Sequence, residues 1–260
     1  MIILANILAI YRRELQSYFS SPFAYVIAGV FWFLSGVIFL QTLQGASLSA
    51  SLGDQAGTGS VDVPYLLLVN FLGWLAIVSL FLLPMLSMGL YSEERKRGTL
   101  ELLATSPVTN WAVAVGKLLG VVTFYVTLLL PVMVYEAIVL STAEPAVQPA
   151  VMVLGHLGLV LMATSVLSLG MFISSLTDST LLAAILTFGV MLVLLLVNWV
   201  AESVSGGLAD TLRHLSMLTH YSNFIQGIVD TSSLILFGSY IFLGVFLTAQ
   251  TIEALRFQRS

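Results

Sequence analysis

Six stretches of about 20 or more apolar residues constrain this chain more than any other feature; they lie at about 23–43, 64–90, 111–140, 150–173, 181–200 and 234–255. Backbone amides in hydrocarbon must be satisfied within their own segment, and at about 1.5 Å per residue a helix of about 20 residues crosses the bilayer. The expected fold is therefore all-α and integral to the membrane: six transmembrane helices in one domain over residues 1–260. With 58% hydrophobic and 8% charged residues, against about 25% charged in ordinary soluble domains, a water-soluble surface cannot be built. The net charge of −4 argues against nucleic acid as a partner. The absence of cysteine removes disulfides, thiolate metal sites and Cys nucleophiles.

The connections between these stretches carry the rest of the information. Residues 1–22 are expected to form an amphipathic helix in the interface plane: Ile3, Ile7, Ile10, Leu15, Tyr18 and Phe19 share a face. Arg12 and Arg13 follow its apolar start instead of preceding it, and no small-residue cleavage site follows, unlike a signal peptide. Ser21-Pro22 ends the helix. Residues 44–63 read as a Gly/Ser/Asp-rich loop, Pro84 as a kink in the second span, 174–180 as a short turn, and 201–233 as short amphipathic helices at the outer surface. One side collects Arg12, Arg13, Arg95, Lys96, Arg97, Arg256 and Arg259, with Lys117 nearby, and the other has Arg213 alone. The positive-inside rule then places both termini in the cytoplasm of a bacterial inner-membrane protein.

Several chemistries are missing. No G-x-x-x-x-G-K-[ST] exists, so this chain cannot hold ATP in a P-loop, and there is no H-E-x-x-H. Glu93-Glu94-Arg95 has the wrong spacing for a paired-glutamate intramembrane protease, and His156, His214 and His220 are scattered. Centres of the expected spans are nearly free of charge, which disfavours ion-gradient coupling. Glu136 comes nearest to hydrocarbon, close to the outer end of the third span, where it faces water or pairs with a polar group at the rim.

Residues 91–110 are the most polar stretch, Tyr91-Ser-Glu-Glu-Arg-Lys-Arg-Gly-Thr-Leu-Glu-Leu-Leu-Ala-Thr-Ser-Pro-Val-Thr-Asn110. Glu93 with Arg97 and Arg97 with Glu101 stand at i,i+4, which supports a charged helical turn, and Gly98 permits a break before an amphipathic piece. A solvated topology anchor is the alternative reading of the same charges. The stretch joins two spans directly, so force applied to it would move both.

That stretch resembles the loop between the second and third spans of ABC-2-type transporter permeases: charge, glycine, leucine pair and proline occur in order at the same topological position. The resemblance covers the whole chain. Arg13-Glu-Leu-Gln-Ser-Tyr-Phe-Ser-Ser-Pro-Phe-Ala-Tyr25 and His220-Tyr-Ser-Asn-Phe224, with Gly227 and Asp230, are most similar to the GldF-like and NosY-like subgroup. It implies a type V exporter-like fold in which residues 1–22 are a connecting helix and 91–110 a coupling helix seated in a cytosolic ATPase. It also implies two ATPase copies carrying ATP and Mg, no cofactor on this chain, a second permease copy or paralogue, and a periplasmic or auxiliary membrane subunit. The chain would be a non-catalytic export subunit. The site residues expected are Glu93, Glu94, Arg95, Arg97, Gly98, Thr99, Glu101, Leu102, Leu103 and Pro107, with Arg12, Arg13 and Glu14 on the connecting helix. Leu102 and Leu103 would dock apolarly, and Glu94 and Glu101 would meet bases of the ATPase or connecting helix. The competing function is a non-transporting anchor that passes ATPase motion to a periplasmic or motility machine.

Overall fold

In the computed structural model, residues 2–56, 62–99, 108–144, 147–203 and 206–257 are described, and they hold ten α-helices with no strand among them. In chain order these are α1 Ile2–Ser20, α2 Pro22–Ala56, α3 Val63–Ser87, α4 Gly89–Lys96, α5 Asn110–Ser141, α6 Pro149–Leu176, α7 Thr180–Ser203, α8 Gly207–Leu215, α9 Met217–Ile225 and α10 Thr231–Phe257. Six helices are long and apolar enough to cross a membrane, α3 and α4 together making one of them. This is the architecture the apolar stretches require.

Some boundaries differ from the sequence reading, each for a local reason. Residues 44–56, expected as loop, continue α2, and their serine hydroxyls are satisfied within the helix, donating to earlier carbonyls: Ser47 to Leu43, Ser49 to Gly45, Ser51 to Leu48. Residues 91–96 form the helical turn expected there, and an additional interruption falls earlier, at Met88, one turn after Pro84. Proline lacks the N–H that would pair with the Leu80 carbonyl, and one turn later Met88 N–H and Ser87 Oγ both donate to the Pro84 carbonyl. The turn expected at 174–180 narrows to 177–179.

The core sits around α6, which touches α3, α4, α5, α7, α9 and α10. Close approach is bought with small residues, as expected where lipid supplies no hydrophobic drive between helices. A side chain at Gly244 of α10 would come within 2.5 Å of the Ser168 backbone on α6, and Ser165 and Ser168 donate across that contact to the carbonyls of Phe237 and Tyr240. The segment expected at the outer surface does more than lie flat: α9 is inserted against α6, with Phe224 over Gly158 and the Tyr221 hydroxyl donating to the Leu72 carbonyl of α3. Its His220 is held at both ring nitrogens, by Ser233 Oγ and the His214 carbonyl.

The N-terminal helix docks lengthwise on the first half of α5. Ile10 faces Gly116, Glu14 faces Gly120, and Tyr18 stacks on Phe124 at 5.0 Å. Each step of four on α1 therefore meets a step of four on α5, so the two helices run side by side and parallel. A Cβ at Gly116 or Gly120 would lie 2.9 or 2.8 Å from these α1 side chains. At 32 residues α5 is about 48 Å long, longer than the about 30 Å hydrocarbon core, so its first turns can project beyond the bilayer with α1 beside them.

Candidate coupling site

The charged segment is organised by a residue that belongs to none of its expected contacts, Lys117 of α5. A lysine two turns into a hydrophobic helix must satisfy three ammonium protons. Its Nζ lies 3.1 Å from Glu14 Oε2 on α1, 3.1 Å from Glu94 Oε1 on α4 and 2.8 Å from the Leu90 carbonyl. Tyr91 offers its ring face 5.0 Å away. The Lys117 side chain is 4% exposed, against 17% and 21% for its two acids. Two carboxylates on one ammonium leave an excess negative charge at a half-buried junction of three helices.

A second hub reinforces the junction from α6. The Ser174 hydroxyl stands in the break between α3 and α4, where it accepts from the N–H groups of Tyr91 and Ser92, both at 3.1 Å, and donates to the Met88 carbonyl at 2.7 Å. One residue on, the Ser175 carbonyl accepts from Arg95 at 2.8 Å. The α4 segment is thus fixed to α5 through Lys117 and to α6 through Ser174 and Ser175. On α1, the Tyr18 hydroxyl donates to the Leu86 carbonyl at the end of α3. Burial, then the nearby Glu14 and Glu93 carboxylates, raise the Tyr18 hydroxyl well above the usual tyrosine range, so it stays protonated as a donor.

Of the residues expected at the site, Glu14 and Glu94 converge, and Arg95 turns inward to α6. Within this chain the base that Glu94 meets is Lys117, and the connecting helix supplies a second acid where a base was one expectation. Glu93 and Arg97 form an exposed 3.5 Å pair at the anticipated spacing. Gly98 has φ +69°, the left-handed conformation that ends the turn, and Thr99 caps it by bonding the Glu94 carbonyl through N–H and Oγ1. Arg12 and Arg13 are exposed. Glu101, Leu102, Leu103 and Pro107 lie outside the described residues. Sequence reasoning placed Lys117 on the basic side without a role and passed over Ser174; a lone lysine inside an apolar stretch was the available signal, since an unpaired charge there is costly. Among the described residues no group of three or more His, Asp and Glu is placed to hold a metal.

A family model for ABC-2 family transporter proteins matches residues 8–260. The chain belongs to the ABC-2 transporter family. Membership makes it a multi-pass membrane subunit of an ABC transporter, of a kind generally without catalysis of its own, and implies an ABC ATPase as partner. Comparison with curated proteins finds no match.

Proposed function

We propose that this ABC-2 protein is the permease subunit of an ATP-driven exporter of the bacterial inner membrane, and that residues 91–110 couple it to a separate cytosolic ATPase. The observation that carries the reading is the Lys117 junction, where α4 and α1 grip the same ammonium on α5. A push on the segment is delivered at once to the third span through Lys117 and to the fourth through Ser174. ATP and Mg reside on the partner, in two copies, and a second permease copy or paralogue completes the pathway; the basic end of the bundle, with both termini, faces the cytoplasm. Within the family we assign it to the GldF-like and NosY-like subgroup, on the likeness of Arg13–Tyr25 and His220–Phe224.

Docking and transmission separate by mutation. Glu101→Lys and Leu102→Asp should release the ATPase from detergent-solubilised complex while the membrane part stays folded. Glu94→Gln should retain the ATPase but weaken the stimulation of its turnover, because it loosens Lys117 instead of the docking face. Retention of both co-purification and stimulation in all three variants would refute the assignment.

The tight glycine contacts at Gly116, Gly120, Gly158 and Gly244 also suit the second reading, a transducer that carries ATPase motion to a periplasmic machine. Reconstituted vesicles decide between them: the exporter moves solute or lipid with ATP turnover, whereas the transducer turns over ATP without flux.

A further inference from the structure

The end of the bundle opposite Lys117 contains a second buried acid–base pair. Glu136 of α5 and His156 of α6 are 1% and 3% exposed, with His156 Nε2 and Glu136 Oε2 3.3 Å apart. Neither carboxylate oxygen, nor Nε2, has an aligned hydrogen-bond partner among the described residues. Nδ1 of His156 lies 3.0 Å from the Met152 carbonyl. A carbonyl can only accept, so Nδ1 carries a proton, and Nε2 is the ring nitrogen that can gain or lose one.

Charge neutrality then fixes the proton count. With no proton between Nε2 and the carboxyl group the pair carries −1, with two it carries +1, and with one it is neutral, as acid and imidazole or as carboxylate and imidazolium. Among the described residues, no charged side chain on the helices packed against the pair compensates either charged state. The α2 helix as far as Leu52, α3, and α7 as far as Ala201 contain no Asp, Glu, Lys, Arg or His. On α9, His220 has both ring nitrogens engaged; on α10, Glu253 lies at the other end of the bundle, as does Lys117 on α5. The remaining titratable groups near Glu136 are the hydroxyls of Tyr135 on α5 and Tyr221 on α9. Tyr221 is committed to the Leu72 carbonyl.

We propose that Glu136 and His156 form a proton-binding site that holds α5 to α6 at this end of the bundle, and that release of its single proton to water loosens those two helix ends. The bound proton lets one partner donate to the other across the helix contact. Its loss leaves a bare carboxylate facing a lone pair in an apolar setting, which favours separation and entry of water. The site needs no ATPase, so it stands or falls independently of the coupling assignment.

The natural absence of cysteine permits spin labels at Ile138→Cys on α5 and Val153→Cys on α6, whose parent side chains are 62% and 53% exposed. Interlabel distances are measured by pulsed electron paramagnetic resonance on the full chain in lipid nanodiscs, from about pH 5 to about pH 10, a range bracketing ordinary histidine behaviour. The expected result is a shift toward longer, broader distances at the alkaline end. Adding Glu136→Gln, a permanently neutral side chain of similar shape, should abolish the shift. His156→Gln removes the imidazole that shares the proton and should displace the shift along the pH axis, and it serves where the first variant does not fold. An invariant distribution in the parent, a shift that persists in Glu136→Gln, or one that stays at the same pH in His156→Gln overturns the proposal.

Discussion

Two buried acid–base clusters tie α5 to its neighbours, one at each end of the bundle, and they are built on opposite plans. At Lys117 one ammonium faces two carboxylates and a carbonyl, so three acceptors from α1 and α4 meet the three protons of one lysine on α5. At Glu136 one carboxyl group faces one imidazole with no aligned hydrogen bond. Lysine stays charged across the ordinary pH range while the Glu–His pair can exchange its proton. The first cluster therefore suits a permanent mechanical joint, and the second a joint that chemistry can release.

The contrast breaks most readily at Lys117. Lys117→Met leaves Glu14 and Glu94 without their cation, and removing one partner of a buried pair costs about 3–5 kcal/mol; unfolding in mixed detergent should show that loss. A triple variant with Glu14→Gln and Glu94→Gln should recover most of it. Next comes Gly120→Leu, which drives a side chain into the space of Glu14 and should cost about 1–3 kcal/mol as overpacking, with α1 becoming sensitive to added protease. Ser174→Ala removes the side-chain acceptor of the Tyr91 and Ser92 N–H groups at the Met88 break, while the Met88 carbonyl keeps the Ser92 hydroxyl, and should cost about 1–3 kcal/mol by the same unfolding measurement. Glu93→Gln removes an exposed i,i+4 pair and should change stability by less than about 0.5 kcal/mol. If Glu93→Gln equalled Lys117→Met, the distinction between joint and solvated charge would fail.

The spans were legible because long apolar runs admit one solution in lipid, the Glu93–Arg97 pair followed from helical periodicity, and the Gly98 break from glycine's conformational freedom. The helical course of residues 44–56 was hidden because serine and glycine read as loop unless the hydroxyls are seen to bond their own carbonyls. The partner of Glu94 was hidden for another reason. Lys117 lies 23 positions along the chain on the next span, and no local pattern reports which charges meet after helices pack. Glu136 was expected to face water or pair with a polar group at the rim; it pairs, and it does so in the dry interior, because α6 returns antiparallel with His156 at the matching depth.

The parallel seam between α1 and α5 also sets an order of events at the ribosome. Glu14 and Lys117 are separated by 103 positions, so at about 5–20 residues per second Glu14 is made some 5–20 s before its partner. During that interval α1 has no groove to enter. Its apolar face and its exposed Arg12 and Arg13 suit a wait among anionic lipid headgroups. The final seating of the earliest helix thus depends on insertion of the third span, which makes the Gly116–Gly120 groove a late checkpoint in biogenesis.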